Sequence, residues 1–489
     1  MAVMMSAQER MAIGQQRRKQ MRRVDHATCK TKERKIDSLK LLDASMKGRV
    51  PALAEMKYQL MAMSPFGYFR GAVPVMAYDF SLGGNTGIVS QLCGDAHVRN
   101  LGAFAGPDGR LVFDINDFDE TIAGPFEWDA KRMATSLILA GRGAGSKNVD
   151  CREAAAVFVD RYRTTMLAFA RMPVLEVARF QVHRLRSVST VGGILRMAER
   201  ATPMHTLLTL TEREGGAAIK KNKTKNETES TGVRVFKTVP PNLTRLTGAI
   251  AEKVVGSLAI YEESLLRERR HFLAQYRPLD VAFKVVGTGS VGLRDYCVYM
   301  EGNGARDPLF LQIKEEAVSA YAPYVGHASG GPNRRGNFHQ GRRVVEGSRA
   351  MQLQSDPFLG WTAMEGRDYL VRQLNDHKAS IQVEDLKGAV LLEYAEVCGE
   401  LLARGHARSA DASMLAGYLG TSTRFDDAVV TFAVAYANQT EADWEELVRS
   451  LKSAPKKPVA KKKVAKKPAP KKPVVKNKVA KKVASKKRG

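Results

Sequence analysis

Two neighbouring segments, Gly-Asp-Ala-His-Val-Arg-Asn (94–100) and Phe-Asp-Ile-Asn-Asp-Phe-Asp (113–119), place carboxylate and amide side chains beside short apolar runs. A Gly-Pro-Asp-Gly cluster at 106–109 separates them and predicts a turn, so we expect the two segments to form a hairpin. Burying several carboxylates together is costly unless a cation compensates their charge, and oxygen ligands of this kind suit Mg²⁺ carried with a phosphate. The hairpin therefore predicts a site for magnesium and phosphate.

A second informative region, 281–314, predicts a strand, a glycine loop, a second strand, a turn and a third strand that ends in Lys314. The glycines with G-x-G-x-x-G spacing are Gly287, Gly289 and Gly292. A dinucleotide-binding fingerprint requires a helix to begin at the third glycine, whereas residues 293–300 alternate and are rich in strand-forming residues. We therefore expect a hairpin that covers phosphates, with Lys314 reaching a nucleotide triphosphate. The alternative is an ordinary glycine turn and a surface lysine.

The strand, glycine loop, strand and lysine resemble the phosphate-covering hairpin of protein kinases, and that resemblance implies a helix glutamate that orients Lys314. Residues 334–354 are predicted to form a helix, and Glu346 within it is our candidate for the partner of Lys314. Glu315 and Glu316 are rival candidates.

Most of the remaining chain is predicted from periodicity. The expected helices are 4–23, one or two within 36–63, 129–144, 151–171, a long one at 244–275, 386–405, 425–438 and 440–452; further strands are expected at 361–364 and 369–374. Residues 64–71 are predicted as an apolar-aromatic turn ending in Arg70, which is either a surface or ion-pair arginine or a phosphate contact. Residues 213–232 are predicted as a polar surface loop.

Length and composition limit the class of protein. A chain of 489 residues with 44% hydrophobic content can bury a large core. No apolar run approaches the ~20 residues of a membrane helix, and the basic N-terminus lacks the apolar region of a secretory signal. Five scattered cysteines without paired spacing argue against disulfides and zinc, and we expect a cytoplasmic location.

The net charge of +26 is concentrated at the C-terminus. Residues 454–489 contain fifteen Lys, one Arg and no acidic residue, which leaves 26 − 16 = +10 for residues 1–453. The Lys-, Val-, Ala- and Pro-rich repeats cannot bury apolar area, so we expect a disordered tail. Such a tail would bind nucleic acid without reading its sequence and would favour the nucleoid; the alternative is a solvated tail that aids solubility.

The acidic hairpin resembles the catalytic core of the protein-kinase-like superfamily, especially its aminoglycoside- and choline-kinase branch. There a His-Gly-Asp-x-His-x-x-x-Asn loop precedes an Asp-Phe-Gly-Asp strand end. By that resemblance Asp95 is the catalytic base, His97 braces the loop and Asn100 is both a catalytic-loop residue and a metal ligand. The five-residue step from Asp95 to Asn100 is that of the kinase catalytic loop.

The same resemblance assigns the metal site. Asp117 corresponds to the main magnesium aspartate, and Asp114 competes with it for that role. Asp119 stands where the kinase pattern has glycine, and we count it among the metal ligands. Asp129, farther on, corresponds to a structural aspartate that starts the next helix. His406 is expected to be a structural residue that closes a helix rather than a catalytic one.

The chain also resembles bacterial domain-of-unknown-function family 2252 over roughly 35–440. The segments that carry this resemblance are 64–71, 93–97, 116–121, 284–292 and 406–409. The glycine loop and Lys314 follow Asp95 and Asp117 by about two hundred residues, whereas kinases have the opposite order. The two regions form one site only if the fold is circularly permuted relative to a kinase, which is permissible because spatial roles define a site.

Together these expectations predict an α+β fold of two lobes that is protein-kinase-like and circularly permuted, with a disordered basic C-terminal tail. The expected parts are a basic N-terminal helix (1–34), a large helical lobe with the catalytic hairpin (35–276), a small β-rich nucleotide-binding lobe (277–376), the remainder of the large lobe (377–453) and the tail (454–489).

The expected function is phosphoryl transfer that depends on ATP and Mg²⁺, to a hydroxyl of a small molecule. One alternative is a nucleotide-binding pseudokinase or a nucleotidyl-transferring enzyme. Another is a non-enzymatic nucleoid-associated protein that acts through 454–489.

Overall fold

The computed structural model describes residues 5–181, 188–214, 233–285, 287, 289–325, 338–374 and 377–453. The Lys-rich tail, most of the predicted polar loop, and Val286 and Thr288 of the glycine loop lie outside the described residues. The described residues up to Val448 belong to one compact unit. Helices and strands are mixed, which confirms the α+β class, while the division into lobes stays a prediction.

Helices account for most of the described chain. They are α1 (Ala7–Gln20), α2 (Ser38–Ser45), α3 (Pro51–Ala62), α4 (Pro65–Gly71), α5 (Val73–Ser81), α6 (Glu127–Gly143), α7 (Asn148–Phe169), α8 (Val174–Arg179), α9 (Ser189–Arg200), α10 (Pro203–Leu210), α11 (Ala249–Gly256), α12 (Leu258–Ser264), α13 (Arg267–Leu273), α14 (Gln340–Met351), α15 (Ala389–Ser409), α16 (Ala412–Leu419) and α17 (Arg424–Ser453). In the part of the chain that the structure describes, none of them is long and apolar enough to cross a membrane.

The strands form one large sheet and three small ones. They are β1 (Val89–Leu92), β2 (Leu101–Ala105), β3 (Leu111–Ile115), β4 (Ile122–Pro125), β5 (Thr211–Arg213), β6 (Arg234–Phe236), β7 (Leu243–Leu246), β8 (Arg277–Lys284), β9 (Asp295–Glu301), β10 (Pro308–Glu315), β11 (Gly360–Met364), β12 (Arg367–Gln373) and β13 (Ala379–Ser380). The large antiparallel sheet has the order β11-β12-β10-β9-β8-β7. The small sheets are β13-β2-β3, β1-β4 and β5-β6.

The large sheet is apolar on both faces because alternate residues of its strands enter different cores. Val298 of β9 and Leu311 of β10 pack into one cluster with α11, α12 and α13. Cys297 and Phe310, one residue earlier on each strand, pack into another cluster with residues of α10 and β6. Every residue of β10 is buried as a result, including Lys314 near its end.

The predicted acidic hairpin forms as β2 and β3, with Leu101 opposite Ile115 and Ala105 opposite Leu111. A third strand, β13, pairs with β2 and lies a few residues after β12 of the large sheet. The main core surrounds this hairpin and includes α6, α7 and α15. The register places Asn100 and Asp117 at the same end of the hairpin.

Three expectations about local structure are wrong. Residues 64–71 are not a turn: Ser64 caps a short helix, α4, by accepting a hydrogen bond from the Gly67 amide at 3.0 Å. The long helix expected at 244–275 is instead β7 followed by α11, α12 and α13, because Leu243–Leu246 extends the large sheet beside β8. Residues 425–452 form a single helix, in which the Thr440 hydroxyl donates to the Tyr436 carbonyl at 2.8 Å instead of capping a new helix.

Candidate functional site

Asp95 lies in the turn after β1, where a buried arginine fixes its carboxylate. Arg132 of α6 donates from Nε to Oδ1 of Asp95 at 2.8 Å and from Nη2 to the same oxygen. The guanidinium of Arg132 lies 4.2 Å from the centre of the Phe69 ring and is fully buried. Burial raises the pKa of Asp95, and Arg132 opposes that shift. Arg132 therefore holds Oδ1 and makes no hydrogen bond to Oδ2, and Asp95 lines the pocket.

His97 braces this turn as a neutral ring. Its Nδ1 accepts a hydrogen bond from the Arg99 amide at 3.2 Å, so the proton of a neutral ring belongs on Nε2. Nε2 lies 3.5 Å from Oδ2 of Asp95 and 3.3 Å from Nε of Arg70. With its proton on Nε2, the ring meets Nε of Arg70 as one N–H group against another, so this contact is not a hydrogen bond, and Nε2 lies beside Oδ2 of Asp95 as an electrostatic contact only. Burial, with the nearby arginines, lowers the pKa of His97 well below its usual value.

Asn100 joins the turn to the acidic segment. Its side-chain nitrogen Nδ2 donates to the backbone carbonyl of Asp95 at 2.6 Å. The backbone carbonyl of Asn100 accepts a hydrogen bond from the backbone amide of Asn116 at 2.9 Å. Since the amide nitrogen is used in this way, the side-chain oxygen Oδ1 is the atom left to bind a ligand. The turn and the residue before Asp117 are thus held by hydrogen bonds.

Asp119 connects the acidic segment to the large sheet. Its Oδ2 accepts from Nζ of Lys314, at the end of β10, and from the Ser290 hydroxyl in the glycine loop at 3.0 Å. Burial of Asp119 disfavours its charge, but Lys314 outweighs this and holds the pKa of Asp119 well below its usual range. Burial and the charge of Asp119 raise the pKa of the neighbouring Asp117 to about 6.

The glycine loop is held by the region between α2 and α3. Arg49 donates from Nη1 to the carbonyls of Gly289 at 3.2 Å and Val291 at 2.7 Å, and Lys57 donates to Gly289 at 3.2 Å. Gly292 has a φ of 95°, and a Cβ there would lie 3.0 Å from the Arg49 side chain. The N-terminal helices therefore supply two cations of the site, which the sequence analysis missed.

Glu346 is not brought to Lys314. It forms an ion pair with Arg342 at 2.7 Å on the outer part of α14, and its side chain is 39% exposed. The acidic groups near Lys314 are Asp119, Asp117 and Glu316. Burial raises the pKa of Glu316 well above its usual value. Asp119 therefore occupies the partner position that the sequence analysis gave to Glu346.

The buried face of α14 carries an arginine instead of an acid. Arg343 donates to the backbone carbonyls of Asp119 at 2.8 Å, Thr121 at 2.6 Å and Ala317 at 2.8 Å. It joins the backbone at the end of the acidic segment to the backbone that follows β10. Arg343 lies three residues before Glu346, so the part of α14 that contacts the site is about one helical turn closer to its N-terminus than expected.

These groups surround a cavity of about 70 Å³. Its lining includes Asp95, His97, Asp117, Asp119, Gly287 and Gly289 from the predicted site, together with Arg49, Lys57, Arg70, Glu120, Ser290 and Glu316. Asn100 and Lys314 adjoin it through their hydrogen bonds to Asp95 and Asp119, and Gly292 adjoins it through its contact with Arg49. Segments nearly two hundred residues apart in sequence thus contribute to one pocket.

A buried network supports the turn that carries Asp95. Asp129, in the first turn of α6, accepts hydrogen bonds from the amides of Cys93 at 2.8 Å and Gly94 at 3.1 Å. His406 of α15 places Nε2 3.4 Å from Asp129, and its Nδ1 bonds the Tyr162 hydroxyl at 2.8 Å. Gly94 has a φ of 82°, and a Cβ there would collide with the Glu120 carbonyl. Asp129 and His406 are in structural positions.

The carboxylates of the pocket fit a cation that brings further ligands with it. Among the described residues, no group of three or more His, Cys, Asp or Glu side chains forms a metal site by itself. Oδ1 of Asp119 and Oε1 of Glu316 are nevertheless buried without a hydrogen-bond partner in the described chain. Mg²⁺ commonly binds through one or two carboxylates plus substrate phosphates, so this donor set fits it. Asp114 is less suited, because its carboxylate is buried against Arg404.

Comparison with known proteins identifies a family. Residues 49–450 match the family described as an uncharacterized protein conserved in bacteria (DUF2252). No curated protein and no solved structure matches the chain. The match covers most of the chain and all of the pocket residues named above, and the chain therefore belongs to the DUF2252 family.

Proposed function

We propose that this protein is a phosphotransferase that uses ATP and Mg²⁺ and has a circularly permuted, protein-kinase-like fold. The acceptor is a hydroxyl of a small molecule. The observation that carries the proposal is the position of Asp119, which accepts from both Lys314 and Ser290. A lysine on a central strand, a glycine loop and a pair of aspartates around one cavity are the parts that phosphoryl transfer requires.

The order of elements in the large sheet supports this proposal. The glycine loop joins β8 to β9, the lysine lies on the next strand, β10, and α14 follows before β11 and β12. In space these strands have the order β11-β12-β10-β9-β8. In protein kinases the nucleotide lysine likewise lies on the third strand, after a glycine-rich loop, and is followed by a helix.

Packing between distant segments supports the permuted order. Arg34, before α2, forms ion pairs with Asp79 at 2.6 Å and with Asp443 of α17 at 2.8 Å. The last long helix therefore packs against the segment that leads to the Asp95 turn. A chain that continues from the large sheet through the later helices reaches that turn in space, although the turn precedes the sheet in sequence.

Each group of the pocket has a role in the proposed reaction. Asp117, Asp119 and Oδ1 of Asn100 would hold Mg²⁺, which neutralises charge on the phosphates. The glycine loop and Lys314 would bind the phosphates of ATP. A cavity of about 70 Å³ has room for several water molecules, so we assign to it the phosphoryl end of the nucleotide.

Asp95 is the proposed base. Arg132 fixes one of its oxygens, and Nε2 of neutral His97 lies 3.5 Å from the other. Oδ2 would accept the hydrogen of the acceptor hydroxyl and align its oxygen for attack. Because positioning and charge neutralisation supply most of the catalysis in such a reaction, this rigid support is consistent with the role.

One observation favours a second candidate. Lys314 is paired with Asp119, and Glu346 of α14 is paired elsewhere, so the usual lysine–glutamate arrangement of an active kinase is not formed. A nucleotidyl-transferring enzyme or a nucleotide-binding pseudokinase would tolerate this difference.

Incubation of the full-length protein with ATP labelled separately in the α- and γ-phosphates separates these functions. Release of ADP with the γ-label on an acceptor supports the proposal, and its loss in Asp117→Asn ties it to the pocket. Release of pyrophosphate with the α-label retained on a product indicates nucleotidyl transfer. Binding of ATP without either product indicates a pseudokinase.

A further inference from the structure

Three cations of the pocket have no acidic partner. Arg49, Lys57 and Arg70 line the cavity, and within the described chain no carboxylate forms an ion pair with any of them. Lys57 is only 2% exposed, and the two arginines are half-buried. Asp95 and Glu120 line the same cavity, but recessed cations that make no direct ion pair are still costly, and a bound anion in contact with them would offset that cost.

These side chains also keep unused hydrogen-bond donors. Arg49 uses Nε on the Ser45 carbonyl and Nη1 on the glycine loop, and it keeps Nη2. Among the residues that the structure describes, Lys57 makes one hydrogen bond, to the Gly289 carbonyl, and Arg70 contacts His97 through Nε alone. Both terminal nitrogens of Arg70, two hydrogens of Lys57 and one nitrogen of Arg49 thus remain available to a ligand. A guanidinium fork and an ammonium suit the terminal oxygens of a phosphate group.

The location of the three cations assigns the anion to the acceptor. Lys314 and the metal ligands already serve the triphosphate in the proposed function, on which this inference rests. Arg70 instead adjoins His97, and the carboxylates of Asp95 and Asp117 favour its charge. Arg70 therefore lies on the side of the pocket where Asp95 would meet the acceptor hydroxyl, and Arg49 and Lys57 extend the cationic surface from there to the glycine loop.

We propose that the acceptor is a phosphomonoester that also carries a free hydroxyl, with its phosphate held by Arg49, Lys57 and Arg70. In the reaction the hydroxyl oxygen forms a bond to the γ-phosphorus as the bond between that phosphorus and the bridging oxygen of ADP breaks, and Asp95 takes the hydroxyl proton. Three cations match a phosphate dianion better than a single carboxylate charge. They would repel a cationic acceptor of the choline type.

The charge state of Lys57 is consistent with a bound anion. Burial and neighbouring Arg49 lower the pKa of Lys57 to about 7, while Glu120 and Asp95 oppose that shift. A phosphate in contact with Nζ would favour the protonated form and keep the lysine charged at neutral pH.

Titration calorimetry on the full-length protein saturated with Mg²⁺ and a non-hydrolysable ATP analogue tests this site, with inorganic phosphate as the probe. We expect phosphate to bind one site on the loaded protein. Binding should weaken about tenfold or more in Arg70→Gln and in Lys57→Met, which each remove a charged hydrogen bond, and it should be unchanged in the exposed control Lys253→Gln. Acetate should bind much more weakly than phosphate.

Several results would overturn the inference. If the ATP analogue displaces phosphate, the three cations bind the nucleotide. If acetate binds as well as phosphate, the acceptor is not a phosphomonoester. If phosphate does not bind at all, the proposed anion site does not exist. Failure of the analogue itself to bind would instead contradict the proposed function.

A second measurement uses ADP release from the unaltered protein with matched pairs, glycerol with glycerol 3-phosphate and glucose with glucose 6-phosphate. Stimulation only by phosphorylated members supports the inference, and stimulation only by unphosphorylated members contradicts it.

Discussion

Nζ of Lys314 on β10 forms an ion pair with the carboxylate of Asp119, a residue 195 positions earlier in the chain. The lysine side chain is 4% exposed and that of the aspartate 21%. This contact joins the large sheet to the acidic hairpin at the pocket. It also replaces the lysine–glutamate pair that the kinase resemblance led us to expect.

The first prediction concerns the strength of this pair. Lys314→Ala should lower the free energy of unfolding by about 2–3 kcal/mol, because it leaves a recessed carboxylate without its cation. The double variant with Asp119→Ala should be more stable than the sum of the single changes predicts. Urea denaturation of the four proteins measures this coupling. The exposed pair Lys253–Glu365 is the matched control and should show much weaker coupling, because solvent screens it.

The second prediction distinguishes the two candidate partners of Lys314. Asp119→Asn should change the affinity for Mg·ATP about tenfold or more, since it alters both the lysine partner and a metal ligand. Glu346→Gln should leave that affinity within about twofold, because it breaks only an exposed pair with Arg342. A larger effect from Glu346 than from Asp119 in calorimetric titration would reverse this assignment.

The third prediction uses the lowered pKa of Lys57. Its folded-state pKa is about 7 against an ordinary value of 10.5, so the folded protein resists protonation that the unfolded chain accepts. Lys57 therefore destabilises the fold increasingly as pH falls from about 10 to about 7, and by a constant amount below that. Relative to the unaltered protein, Lys57→Met should therefore gain about 1.4 kcal/mol in unfolding free energy for each unit by which the pH falls across this window. A difference that does not depend on pH would show that Lys57 titrates normally.

The fourth prediction concerns the support of the Asp95 turn. Asp129→Ala leaves the buried amides of Cys93 and Gly94 without an acceptor and should cost about 2–4 kcal/mol in unfolding free energy. Turnover should fall, whereas the affinity for Mg·ATP should change little, because the nucleotide ligands lie elsewhere. Equal losses of turnover and affinity would mean that Asp129 supports the whole pocket.

The sequence was most informative where local chemistry determines the structure. Alternating strand-forming residues after Gly292 correctly predicted β9, and the cluster at 106–109 correctly predicted the turn between β2 and β3. The acidic and glycine segments could be assigned to one pocket only through a family resemblance, because nothing local in either segment indicates the other.

The residues missed depend on tertiary contacts. Arg132 lies in a helix with apolar periodicity and resembles an ordinary helix residue, although a charge inside a buried helix was a signal that a partner was needed. Arg49 and Lys57 belong to a segment with no motif, and their role comes from bonds to a loop more than 230 positions away. A helix was expected from residue 244 onward, but Leu243–Leu246 forms β7 because its pairing with β8 outweighs the local sequence pattern.

The most direct test of a shared metal–triphosphate pocket is calorimetric titration of the full-length protein with ATP, with and without Mg²⁺. We predict binding that depends on Mg²⁺ and that weakens about tenfold or more in both Asp117→Asn, from the acidic segment, and Lys314→Ala, from the sheet, while Lys253→Ala binds normally. Binding that is absent in the unaltered protein, or unchanged in both variants, would contradict the account.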